Sequence, residues 1–141
     1  MNTVQFHNAD RTFNIKNRKK LKSFIPVIFT DSNTSLDSIN YIFCSDTFLL
    51  DINREFLKHT YYTDIITFDL TAGKAPTIGE IYISIDRVKD NATIHGRSYI
   101  EEIHRVVFHG ALHLCGYKDK KQVDIAAMRR AEDFYLKNYF S

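Results

Sequence analysis

The chain has no tryptophan and only two cysteines, Cys44 and Cys115, among its 141 residues. Neither cysteine belongs to a CxxC pair, so a disulfide framework and a cysteine-built structural zinc site are both excluded. The two thiols are expected to pack as small hydrophobes in a reducing compartment. No linker rich in proline, glycine or serine interrupts the chain, and no internal repeat or low-complexity tract is present, so residues 1–141 are expected to form one domain. No apolar run approaches the roughly 20 residues that cross a bilayer. The first residues, "MNTVQFHNADRTF", lack the charged-then-apolar order of a secretory leader. A cytoplasmic protein with no membrane partner is the expectation. A large excess of charge of one sign is lacking too: the formal net charge is +2, so bulk electrostatics demand no nucleic-acid partner. What is there is 44% hydrophobic and 26% charged residues, enough apolar material to fill a core.

Periodicity orders the elements. "VQFHN" reads as a short edge strand, and "FNIKNRKKLKSFI" as a basic helix with Ile15, Leu21, Phe24 and Ile25 on one face and Asn14 as its cap. "YIFC" (41–44) is a strand that runs into a helix start at Ser45-Asp46, and Phe48, Leu49, Ile52 and Phe56 give the next segment one apolar face. Two strands follow, "TDIITFDL" and "IGEIYISI", separated by the turn "TAGKAP". A short helix closes at Gly96; Ser98 with Glu101 forms a capping box for the helix through "YIEEIHRVVFHGALHLC", which Gly116 stops. "VDIAAMRRAEDFYLKNYF" is the last helix. The order predicts a small α+β domain, with a mixed central sheet of about four strands covered by helices. Its topology does not follow from the pattern.

Within the stretch "RVVFHGALHLCGYKDKK", His109 and His113 stand four apart. On a helix they project side by side, within reach of one divalent ion. Such a pair is weak evidence alone. Gly116, however, ends the helix three residues later and lets the chain fold back to offer Asp119 to the same point. Three protein ligands with a fourth position for water is the arrangement of a catalytic zinc, one ion per chain. Cys115 faces away from the pair while the helix continues. A zinc-protease reading fails, because HExxH needs a glutamate general base where Gly110 stands.

"HGALHLCGYKD" resembles the signature of the YbeY family, metal-dependent endoribonucleases of bacterial ribosomal RNA maturation, whose usual form is HGxLHLxGYDH. His109, Gly110, Leu112, His113, Leu114, Gly116 and Tyr117 match it. Upstream, Asn53, Phe56, Thr63, Asp64 and Phe68 occupy the places of a second family stretch, "GEIYIS" is similar to the next strand, and Met128 and Glu132 suit its closing helix. Two positions depart. Asp119 stands where the family has a third histidine, which lowers the charge of a divalent site from +2 to +1 and widens the choice of metal beyond zinc, toward ferrous iron. Leu57 stands where the family commonly has an arginine; Lys58 or His59 is then the nearest substitute for a phosphate contact.

The resemblance implies hydrolysis of single-stranded RNA, in 16S rRNA 3′-end maturation and ribosome quality control, with rRNA and the small ribosomal subunit as partners. The metal would polarise a phosphoryl oxygen or activate water. Around Asp119, Lys118, Lys120 and Lys121 favour an anion, although lysines past a helix C-terminus also complement its dipole. Tyr61, Tyr62 and Tyr117 are candidates for stacking on unpaired bases. Glu102, seven residues before His109 on the same helix face, is a candidate acid or base or a partner orienting an imidazole. Asp64, at the family's Thr-Asp position, is the other candidate. Two alternatives stay open: a ribosome-associated RNA-binding factor with a structural metal, and a metal-dependent hydrolase of a small phosphate ester or amide.

Overall fold

A computed structural model describes residues 3–141. Alternation of buried and open positions builds β1 (Thr3–Asn8) and β2 (Leu36–Cys44), with α1 (Arg18–Asp31) between them. Then come α2 (Asp46–Leu57), β3 (Ile65–Asp69), β4 (Thr77–Ser84), α3 (Ile85–Ile94), α4 (Tyr99–Leu114) and α5 (Gln122–Phe140). The strands form one mixed sheet in the order β1-β2-β4-β3. β2 pairs in parallel with both β1 and β4, while β3 returns antiparallel along β4. The expected α+β class and four-stranded mixed sheet are what the fold shows.

Two element ends differ from expectation. The first helix is capped not by Asn14 but by Asn17, which sits in the left-handed region at φ 56° and makes no side-chain cap bond. Ile15, which the helical reading placed on α1, is instead a buried residue of the preceding loop. α1 also runs beyond Ile25 and through Pro26 to Asp31. The helix bond that Pro26 cannot donate would fall on the carbonyl of Lys22, an exposed residue that water can reach. β2 begins at Leu36 rather than Tyr41, because Ser38 to Asn40 already pair with β1 and Leu36 to Asn40 with β4, across a register shift between Leu36 and Ser38.

The two sheet faces are covered unequally. Val4, Phe6, Ile39, Tyr41, Phe43, Ile81 and Ile83 meet α1 and α4 in the main core. On the other face Cys44 and Ile66 meet Leu49 of α2 in a smaller cluster. α4 is the central helix: eleven of its sixteen residues are buried, so its surroundings are protein on nearly every side. The buried Tyr41 hydroxyl donates to the carbonyl of Val107 at 2.9 Å, tying α4 to β2. Gly110 allows the same helix to approach the sheet, since a Cβ there would lie 2.9 Å from Ile81 Cδ1 and 3.1 Å from Ile65 Cδ1. Ser98 caps α4 by accepting from the Glu101 N–H at 3.0 Å. The Glu101 carboxylate reaches for Arg97 and Arg105 at 3.6 and 3.7 Å, so the expected cap is present on its serine side. Among the described residues no helix is long and apolar enough to cross a membrane.

Candidate metal centre

The last two turns of α4 present His109 and His113 on the side not covered by the sheet. Their rings are 4.6 Å apart between centroids. Past the helix, Gly116 adopts φ 99°, a conformation that costs a side-chain-bearing residue dearly, and the chain doubles back. That reversal brings Asp119 Oδ2 to 3.2 Å from His109 Nε2 and 3.1 Å from His113 Nε2. The three ligand atoms lie within 4.8 Å of one another. Cys115 turns its sulfur toward the Ile28 carbonyl, away from this point, and burial pushes its thiol up to about 11.

Hydrogen bonds on the far side of each ring decide what the near side offers. His113 Nδ1 meets the carbonyl oxygen of Tyr117 at 2.9 Å. A carbonyl only accepts, so the proton of the neutral ring is on Nδ1 and the lone pair on Nε2. His109 Nδ1 is 2.6 Å from Glu132 Oε2, which fixes the same tautomer. Two lone pairs and a carboxylate oxygen therefore converge with no donor between them. A divalent cation satisfies all three at once. The separations fit: adjacent ligands on a tetrahedral zinc with bonds near 2.05 Å stand about 3.3 Å apart. Burial opposes a charged His109, yet the hydrogen bond and charge of Glu132, with Asp119 and Asp64, hold its pKa above the usual value.

Glu132 was missed as an orienting group. It projects from α5, is 5% exposed, and shares its second oxygen with Arg105 at 2.9 Å; Arg105 also holds Asp133 at 2.7 Å. Glu102, a candidate acid or base or imidazole-orienting partner, pairs with Arg97 at 3.1 Å, while Glu132 is the carboxylate bonded to His109 Nδ1. Arg105, and not the nearer-in-sequence Arg129 or Arg130, pairs with both Glu132 and Asp133.

The centre opens into a cleft of about 740 Å³, and Asp64, Glu102, Lys120 and Arg129 line it together with His109, His113 and Asp119. Asp64 lies near Asn91, whose Nδ2 is 3.5 Å away, and burial raises its carboxyl pKa against the opposing influence of His109. Of the three lysines around Asp119 only Lys120 reaches the cleft. Lys118 and Lys121 line a separate hollow with Tyr117. Lys58 is the left-handed C-cap of α2, and its neighbours Leu57 and His59, not Lys58, line the cleft.

The family model described as Endoribonuclease YbeY matches residues 4–140. The chain belongs to the YbeY family. It is 46% identical to the Endoribonuclease YbeY of Cytophaga hutchinsonii over 134 residues, 95% of this chain and 94% of that one. The Flavobacterium psychrophilum protein of the same name is 42% identical over 130 residues, 92% of each chain. In fold, the chain resembles the solution structure of a Thermotoga maritima protein, with a TM-score of 0.65 at 23% identity over 97% of this chain and 89% of that one. Both relatives align with this chain almost end to end.

Proposed function

We propose that this YbeY-family chain is a metal-dependent endoribonuclease that hydrolyses single-stranded RNA, acting in the cytoplasm on the 3′ end of 16S rRNA and in ribosome quality control, with the small ribosomal subunit as partner. The observation that carries the metal dependence is the convergence of His109 Nε2, His113 Nε2 and Asp119 Oδ2, three acceptors with no donor between them. One divalent ion, zinc or another that accepts two imidazoles and a carboxylate, supplies Lewis-acid activation of water and of a phosphoryl oxygen when bound.

The protein's own groups do the rest. Glu132 and the Tyr117 carbonyl hold both imidazoles in the tautomer that frees Nε2. Lys120 and Arg129 add positive charge in the same cleft, where a phosphodiester would lie. Asp64, whose carboxyl pKa burial raises against the opposing influence of His109, is the carboxyl group for proton transfer to or from the reacting oxygens. Glu102 faces the cleft too, but its bond to Arg97 suits it to placing that guanidinium.

Metal content of protein purified without chelator, beside His113→Ala and Asp119→Ala, tests this. About one equivalent in the parent, lost in both variants along with cleavage of single-stranded RNA, is the expected result. Full metal retention without Asp119 would reject the site as drawn. RNA binding without metal-dependent cleavage would favour the binding-factor reading, which Leu57, 40% exposed in the cleft, supports in place of an arginine.

A further inference from the structure

The cleft has two kinds of wall. One carries the ligands and the cations Lys120 and Arg129; the other is the connection from α2 to β3, where Leu57, His59 and Tyr61 line the mouth. Tyr61 is 58% exposed, yet it is fixed. Its ring lies 4.9 Å from that of His59, centroid to centroid, with 20° between the planes. Its hydroxyl is hydrogen-bonded to His59 Nδ1 at 2.9 Å. The backbone is held as well. Asn53 of α2, only 1% exposed, donates from Nδ2 to the Tyr61 carbonyl at 2.8 Å, and its own carbonyl accepts from the His59 N–H at 3.1 Å. Lys58, at φ 58°, supplies the turn that makes this possible.

A buried asparagine thus holds the backbone of two aromatic residues that line the candidate catalytic cleft. Fixing an exposed ring does little for the core, but it removes the ordering cost from whatever binds the ring. We propose that Tyr61 and His59 form a stacking platform for one nucleobase of the RNA strand whose phosphodiester lies at His109, His113 and Asp119. This rests on the endoribonuclease reading and names how that site holds its substrate. The chemistry favours a base over other occupants: the platform offers π-faces beside the apolar Leu57, while Lys120 and Arg129 offer charge for the backbone of the same strand. The other tyrosines are placed differently. Tyr62 lies beneath the Arg87 guanidinium, 5.2 Å from its ring centroid, and Tyr117 faces the separate hollow.

Single-turnover cleavage of a labelled single-stranded oligoadenylate by the metal-loaded enzyme tests the platform. The half-saturating enzyme concentration reports binding, and the plateau rate reports chemistry. Tyr61→Ala is expected to raise half-saturation about 5- to 150-fold, the loss of one stacked base, with the plateau rate and metal content changed less than about twofold. Tyr62→Ala leaves the platform alone and is expected within about twofold of the parent; Tyr61→Phe keeps the ring and is expected to lose far less than Tyr61→Ala. Removing the base at one strand position should cost the parent the same factor and cost Tyr61→Ala nothing more. Cleavage by the parent with unchanged half-saturation in Tyr61→Ala would overturn the platform and leave the nuclease standing. A parent that neither binds nor cleaves the strand would overturn both.

Discussion

Glu132 joins His109 to Arg105: one carboxylate oxygen meets His109 Nδ1 at 2.6 Å and the other accepts from Arg105 at 2.9 Å. The contact crosses from α5 to α4, so the last helix sets the orientation of a residue near the end of the central one. Neutralising that carboxylate should be felt first at the metal. Glu132→Gln is expected to weaken metal binding about 10- to 100-fold, measured by competition with a chelator. It should also lower unfolding free energy by about 1–3 kcal/mol, because buried Arg105 and half-buried His109 lose charge-assisted bonds, although Arg105 keeps Asp133. An unchanged metal affinity would show that His109 is oriented without Glu132.

Asp119 sets the charge of the centre. Two neutral imidazoles and one carboxylate leave a divalent ion at +1, whereas three imidazoles leave it at +2. Asp119→His is expected to retain one equivalent of metal, since the loop after Gly116 already brings position 119 to both Nε2 atoms. A more electropositive site holds water at a lower pKa, so the acid limb of the cleavage pH profile should move to lower pH than in the parent. A shift in the opposite direction would contradict this account of the site charge.

The candidate metal centre was legible because its determinants are local. Helical spacing aligns His109 and His113, and the positive φ of Gly116 follows from a glycine placed just after a helix. Glu132 is 23 residues from His109 in sequence, and only the packing of α5 on α4 joins them. A signal did exist: Glu132 interrupts the buried stripe Met128, Tyr135 and Tyr139 of the last helix, and a charge at a core position asks for a partner. Lys118, Lys120 and Lys121 read as one basic cluster by adjacency, but an irregular loop fans its side chains apart and only Lys120 reaches the cleft. Strand order was beyond reach for a similar reason. The parallel β2–β4 pairing spans α2 and β3, and nothing in either strand's pattern names its neighbour.

Close approach of α4 to the sheet gives a test of packing. A methyl at position 110 would meet Ile81 Cδ1 at 2.9 Å, Ile65 Cδ1 at 3.1 Å and Ile81 Cγ2 at 3.1 Å. Ile81 is fully buried, so it has little room to give. Alanine gains about 1 kcal/mol of helix propensity over glycine, against about 1–3 kcal/mol for overpacking. Gly110→Ala is therefore expected to lose about 1 kcal/mol net in urea unfolding. It should weaken metal binding as well, since the helix that carries both histidines must lift. A variant more stable than the parent would mean that the two isoleucines repack freely.

His104 gives the fold an acid-sensitive point away from the metal. It is 4% exposed, donates from Nδ1 to the Ile100 carbonyl at 2.7 Å, and is surrounded by the rings of Phe108, Tyr139 and Phe140. Burial lowers its pKa; the bond to Ile100 opposes the shift, and Lys20 adds repulsion. The folded state thus keeps this imidazole neutral where the unfolded chain, titrating near the ordinary value of about 6.5, takes up a proton. The group contributes nothing to the pH dependence well above that value. As pH falls through it, the unfolded state gains, and stability is lost until the depressed folded value is reached. His104→Phe removes the proton site and keeps a ring in the cluster. In urea unfolding with chelator present, the parent is expected to lose more stability than this variant between about pH 7.5 and 5.5. Parallel stability curves would place the acid sensitivity elsewhere.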